Sequence, residues 1–126
     1  MVIYIVAIGL ALHGLVHALG FAAAWRLGAV SAVSATPSLV SIAEGSPLAR
    51  ILGLLWLGVA LTFVVAAGGL VATTSWWRIV TASAAVLSLV LCVAWWNNAK
   101  AGMALDVAIL IGLVATIVFY RSETAS

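Results

Sequence analysis

Apolar residues in this chain neither alternate nor recur on a single helical face. They run almost unbroken through four long stretches, Val2 to about Ala24, about Leu48 to Val71, Trp77 to Trp96 and about Ala101 to Tyr120. Each is close to the roughly 20 residues that an α-helix needs to cross a hydrocarbon layer about 30 Å thick. Inside that layer every backbone N–H and C=O must be satisfied within the protein, and only a helix does this segment by segment. A barrel strand would show alternating polar and apolar positions, and none of the four stretches does. The pattern therefore predicts an all-α fold, a bundle of four transmembrane helices forming one domain over residues 1–126.

Aromatic residues mark the ends of the stretches. Tyr4, Trp25, Trp76, Trp77, Trp95, Trp96 and Tyr120 fall near predicted helix termini, where amphipathic rings settle among headgroups, and only Trp56 lies well inside a span. The first stretch has a small-residue run at Ala22-Ala23-Ala24 but no basic segment before it. It is also longer than a signal-peptide core, so it is read as a span. The longest connection, about Arg26 to Ser46, predicts a short helix along the membrane surface. Thr36 can cap it, Pro37 suits its first position, Gly45 can end it, and Leu39, Val40, Ile42 and Ala43 provide an apolar side. Ser46-Pro47 repeats the cap-and-proline signal for the second span. The two remaining connections are tight, which makes the second, third and fourth helices antiparallel neighbours.

Composition agrees with a lipid environment. Of 126 residues, 67% are hydrophobic and 6% are charged, against about a quarter charged in soluble domains. The five basic residues, Arg26, Arg50, Arg78, Lys100 and Arg121, never cluster, which argues against nucleic acid and against a polybasic lipid patch. Four spans put both termini on one side (side A) with Arg78 and Arg121. Arg26, Arg50 and Lys100 are on side B, an asymmetry too small to settle orientation and leaning towards a cytoplasmic side B. The single cysteine, Cys92, excludes an internal disulfide, a thiol-pair oxidoreductase and a cysteine-rich zinc framework. No phosphate-binding glycine loop, HExxH helix or serine nucleophile elbow is present.

Association of helices in lipid depends on close packing, because the solvent is as apolar as the side chains. Ala104, Ala108, Gly112 and Thr116 form a four-residue repeat on the last helix. Gly9, Gly20 and Ala24 share the histidine face of the first, and Gly53, Gly58 and Thr62 lie on the second. These stripes suit packing within the bundle or a seam between copies.

Three ionisable residues lie at membrane depth, where such groups point by default to function. His13 and His17 are one turn apart and share a face. At 1.5 Å per residue, His17 is about 12 Å and Asp106 about 9 Å from side B. Cys92 falls at the same level with Ser88 a turn deeper, and Arg26, Arg50, Asn97, Asn98 and Lys100 rim that end. The expectation is a polar pocket opening towards side B. Two imidazoles and a carboxylate are a three-ligand set for a metal ion with one open position. A tetrapyrrole needs axial ligands on opposite faces, which two histidines on one helix supply only in a symmetric dimer. Asp106 with the histidines could also serve a small proton-coupled transporter, and the same groups could form a buried clasp that fixes helix register. Asp106 then gains from the helix N-terminus or from Arg26 or Arg50 reaching down.

His13-Gly14-Leu15-Val16-His17 with Gly20-Phe21, and the turn Trp96-Asn97-Asn98-Ala99-Lys100-Ala101-Gly102, resemble the first helix and the last turn of a family of uncharacterised small bacterial membrane proteins. Asn98 departs from the family pattern, which usually has an acid there. The resemblance implies a four-helix protein of the bacterial cytoplasmic membrane and no particular activity. Scarce reactive residues and small-residue stripes together favour an accessory or scaffold bundle, as a homo-oligomer or within a larger membrane complex. The alternatives are a metal- or cofactor-binding membrane protein using His13, His17 and Asp106, and a small proton-coupled transporter.

Overall fold

The computed structural model describes residues 1–28 and 34–124, with side chains as far as Phe119. The side chains of Tyr120 and Arg121 of the sequence reading, and residues 29–33 of the first connection, fall outside what is described. Four helices follow one another: α1 (Val2–Ala24), α2 (Pro47–Val71), α3 (Trp77–Ala94) and α4 (Lys100–Thr124). All four are long and apolar enough to cross a membrane. Each packs against its sequence neighbour, α1 on α2, α2 on α3 and α3 on α4. Short connections between successive spans leave little choice of partner.

The helix ends are built locally. Ser46 is the N-cap of α2, its Oγ accepting from the Ala49 N–H at 3.2 Å, and Pro47 follows at the first helical position. α1 and α2 close alike. Leu27 N–H donates to Ala22 O and Arg26 N–H to Ala23 O; Thr74 N–H donates to Gly69 O and Thr73 N–H to Leu70 O. This is the Schellman closure, which requires a left-handed residue just past the helix. Arg26 (φ 54°) and Thr73 (φ 52°) fill that position without being glycine.

The described part of the first connection, where the cap, proline and glycine fall, is not a surface helix. Among its described residues, 34–46 contain bends and a turn only. Its polar groups are spent on the end of α3 instead. Ser38 and Leu39 N–H both donate to the Ala94 carbonyl, at 2.9 and 3.3 Å, and Asn97 N–H donates to Ser38 Oγ at 3.3 Å. A helix terminus leaves its last carbonyls without partners, and here the connection supplies the donors. Gly45 (φ 74°) sits at the turn closed by Ser46 N–H on Ala43 O, not at the end of a helix.

Trp95 corrects the aromatic belt. Trp25, Trp76 and Trp96 are about 40% exposed, as headgroup residues should be, but Trp95 is 2% exposed. Its indole N–H donates to Ser34 O at 3.0 Å, and its ring meets Trp56 edge to face at 5.4 Å. α3 stops at Ala94, two residues before the hydrophobic pattern ends, and Trp95 is its C-cap.

Burial is uneven. α2 lies at the centre of the bundle and α4 at its edge, with 39% and 11% of their spans buried. The core is built from Phe63, Trp56, Val59 and Ala67 of α2 with Leu10, Ala84, Ala85, Leu91 and Trp95. On α4, the buried residues among those described are Asp106 and Leu113, two turns apart, flanked by partly buried Met103, Ile109 and Leu110. Ala104, Ala108, Gly112 and Thr116 occupy the outer side and are exposed. Packing within the chain therefore does not use this stripe: the α4 face that turns inwards is the one carrying Asp106.

Candidate functional site

His13, His17 and Asp106 meet. His13 Nε2 lies 2.8 Å from Asp106 Oδ1, joining α1 to α4. The hydroxyl of Ser88 on α3 donates to Asp106 Oδ2 at 2.5 Å and lies 2.7 Å from His17 Nε2. Three helices thus close one polar cluster. His13 is 8% exposed, His17 2%, and Ser88 and Asp106 are fully buried. Cys92 Sγ is 3.8 Å from Asp106 Oδ2, near enough for a weak donor. The depth estimate placed His17 level with Asp106, yet His13 is its direct partner. α1 therefore runs further towards side B than the start of α4 does.

The direction of the hydrogen bonds follows from counting protons. A serine hydroxyl has one proton, and Ser88 gives it to Asp106. His17 Nε2 must then be protonated and donate to Ser88 Oγ. Asp106 as a carboxylate accepts at Oδ1 from a protonated His13 Nε2. With both rings neutral, each Nδ1 carries a bare lone pair. No described residue partners either Nδ1. Among the described residues, the side-chain nitrogen or oxygen that is both sealed and unpartnered is Trp56 Nε1, so neither Nδ1 is sealed.

Aromatic rings hold the imidazoles in place. Phe63 meets His13 edge to face at 4.9 Å and Trp56 lies 5.1 Å from His17, while the imidazoles themselves are T-shaped at 4.8 Å. Glycines allow the approach. A Cβ on Gly14 would fall 2.7 Å from Phe63 Cβ, and one on Gly20 within 2.7 Å of the Trp56 ring. Phe63 carries no sequence signal beyond hydrophobicity, and Trp56 reads as ordinary packing. Ser88 was legible as a polar residue at the right depth, but its bridging role was not.

Two cavities border the cluster. One of about 590 Å³ lies between α1 and α4, with both histidines in its wall. A smaller one, about 200 Å³, is lined by His17, Trp56, Cys92 and Asn98. The expected rim is only partly there. Asn98 lines the smaller cavity, whereas Arg26, Arg50, Asn97 and Lys100 line neither. Arg50 lies over the Trp25 ring at 5.7 Å, Lys100 over Trp96 at 5.8 Å, and the Arg26 guanidinium against Gly45. Long cationic chains at a helix end turn towards the interface, where their charge stays hydrated. Neither Arg26 nor Arg50 reaches Asp106, whose acceptors are filled by His13, Ser88 and Cys92.

The fold and the cluster define a small integral membrane protein of four apolar helices with a buried His–Asp–Ser centre shared by three of them. Set against known protein families, curated proteins and solved structures, the chain matches none.

Proposed function

We propose that this membrane protein binds a divalent transition-metal ion at His13, His17 and Asp106. The observation that carries the reading is that one donor atom from each of the three buried residues lies within 4.8 Å of the others. Around an ion with bonds of about 2.0–2.2 Å, donors stand roughly 3.3 Å apart. The His13–Asp106 contact of 2.8 Å needs to open slightly, and His17 needs to draw in as the Ser88 hydroxyl gives way. Nitrogen and oxygen donors in this number suit zinc and its neighbours, and one carboxylate against a 2+ ion lowers the net charge held in hydrocarbon. His13 Nε2 meets the Asp106 carboxylate directly and His17 Nε2 meets it through the Ser88 hydroxyl, an arrangement that suits one ion and not the two faces of a tetrapyrrole. The two stretches that resemble the bacterial family border the cavity above His17, which fits a common site there.

Protein purified in detergent, stripped with a chelator and dialysed against Zn²⁺ should retain one ion per chain. His13→Ala, His17→Ala and Asp106→Ala should each abolish retention while circular dichroism stays helical. Stoichiometry well below one in the parent protein, or retention unchanged in all three variants, counts against the proposal.

A second reading is an accessory subunit that packs through α4. It rests on the outward exposure of Ala104, Ala108, Gly112 and Thr116. Crosslinking in native membranes from Ala108→Cys in a Cys92→Ala background should then trap a second copy or a partner, and a strictly monomeric product argues against it.

A further inference from the structure

The groove between α1 and α4 has walls of one kind and a floor of another. Val6, Gly9, Leu12 and Val16 of α1 face Leu105 and Ile109 of α4 across about 590 Å³, and several of these residues are exposed on the outer surface of the bundle. The groove therefore opens sideways, towards hydrocarbon. Gly9 widens it, since a Cβ there would meet nothing within 4 Å. The polar groups in its wall are His13 and His17, both more than nine-tenths buried. Their Nε2 atoms are taken by Asp106 and Ser88, and their Nδ1 atoms have no partner.

We infer that the groove binds a bilayer-dissolved amphiphile with a hydroxyl head, a long-chain phenol or hydroquinone, whose O–H donates to an imidazole Nδ1 while its hydrocarbon tail lies along α1 and α4. Two observations select this chemistry. An apolar cleft with a few convergent polar atoms is the usual form of a small-molecule site. The direction of the hydrogen bonds then decides which head it takes. Ser88 gives its proton to Asp106, so both histidines donate at Nε2, and a neutral ring that donates at Nε2 accepts at Nδ1. A ketone, an ester or an ether brings only acceptors and leaves both lone pairs unanswered; a hydroxyl brings the missing proton. The Asp106 carboxylate behind His13 strengthens that ring as an acceptor, because it stabilises positive charge that the ring draws from the ligand's proton. The inference stands on the metal-free hydrogen-bond network and does not need the proposed ion. Metal bound at both Nε2 atoms moves the ring protons to Nδ1, turns both acceptors into donors and removes the preference for a hydroxyl.

The test uses the full chain in lipid nanodiscs, first stripped with a chelator. The probe is 3-pentadecylphenol carrying a diazirine on its chain; its O-methyl ether is the matched control. Photolabelling read by peptide mass spectrometry should fall on α1 and α4 around Val6–Val16 and Leu105–Ile109. The phenol should label at least tenfold more than the ether. Gly9→Phe, which places a ring in the groove from a position where a Cβ meets open space and which removes no donor of the cluster, should reduce phenol labelling at least tenfold while leaving Zn²⁺ retention unchanged. Equal labelling by phenol and ether, or phenol labelling indifferent to Gly9→Phe, overturns the inference and leaves a cleft filled by lipid chains. Zn²⁺ retention without phenol selectivity sinks this inference alone. Phenol selectivity without Zn²⁺ retention sinks the metal proposal alone.

Discussion

Glycine and alanine do opposite things at the two ends of this chain. Between α1 and α2 they are contacts. A Cβ at Gly14 meets Phe63 at 2.7 Å, one at Gly20 meets the Trp56 ring at 2.6 Å, and one at Gly53 meets Ala24 Cβ at 2.6 Å. Along α4, Gly112 has nothing within 4 Å, and Ala104, Ala108 and Thr116 are exposed with it. The first seam is held by close backbone approach, which is how helices associate when the solvent is lipid. The last helix is held by one inward face, with a buried carboxylate in the middle of it. Small residues at helical spacing therefore mark a place where a helix can approach, without saying whether one does.

Substitutions can break or sharpen this contrast. The largest effect belongs to Gly20→Leu, which drives a side chain into the Trp56 ring and should cost about 3 kcal/mol or more. Gly112→Leu, facing lipid, should change stability by less than about 0.5 kcal/mol. Unfolding in mixed micelles at increasing SDS fraction measures both, and equal losses at the two sites would erase the distinction.

Next is Asp106→Leu, which leaves the donors of His13 and Ser88 buried without an acceptor. An unmade buried bond costs about 1–3 kcal/mol, although hydrogen bonds in membrane bundles average nearer 0.6 kcal/mol. A loss of about 2 kcal/mol is expected. Because α4 is anchored through this residue, Cys92, now 1% exposed, should react faster with N-ethylmaleimide in intact vesicles. Unchanged labelling would show that the apolar contacts of α4 hold it without the carboxylate.

The two core tryptophans give a smaller and more pointed comparison. Trp95 Nε1 has an acceptor in Ser34 O, and Trp56 Nε1 is sealed without one. Both lose packing on conversion to Phe, but Trp95→Phe also loses a bond worth about 1 kcal/mol, whereas Trp56→Phe removes an unsatisfied donor. Trp95→Phe should therefore be the more damaging change by SDS titration, and the reverse order would mean that ring volume outweighs the hydrogen bond. Smallest is a gain. Thr73→Gly relieves a β-branched residue at φ 52° and should add about 0.5–1 kcal/mol, read as a higher midpoint in the same titration.

Much of the architecture was legible from residue order. The spans begin and end within a few residues of the apolar runs, because hydrocarbon thickness sets a length that composition alone can meet. Ser46-Pro47 capped α2 as a local signal should. The surface helix failed although its cap, proline and glycine were all present. Its backbone donors had better acceptors at the end of α3, and that end lies more than fifty residues away in sequence. Trp95 failed as a belt residue for the same reason: Ser34, its partner, is equally remote.

Depth along each helix is arithmetic on residue number, and it brought His17, Cys92 and Asp106 to one level, with His13 and Ser88 a turn deeper. Rotation about each helix axis is not. Whether Asp106 or Ala108 faces inwards, whether Arg50 turns to Asp106 or to Trp25, and whether Ser88 bridges or idles depend on how one helix packs on another. Residue order alone indicated the solvent, the number of crossings and, to within about one helical turn, the height of the polar groups, since these follow from hydrophobicity and a constant rise per residue. Tertiary structure decided which of those groups touch and which cleft their side chains line. Those choices depend on interhelical angles that arise only when the four helices pack together.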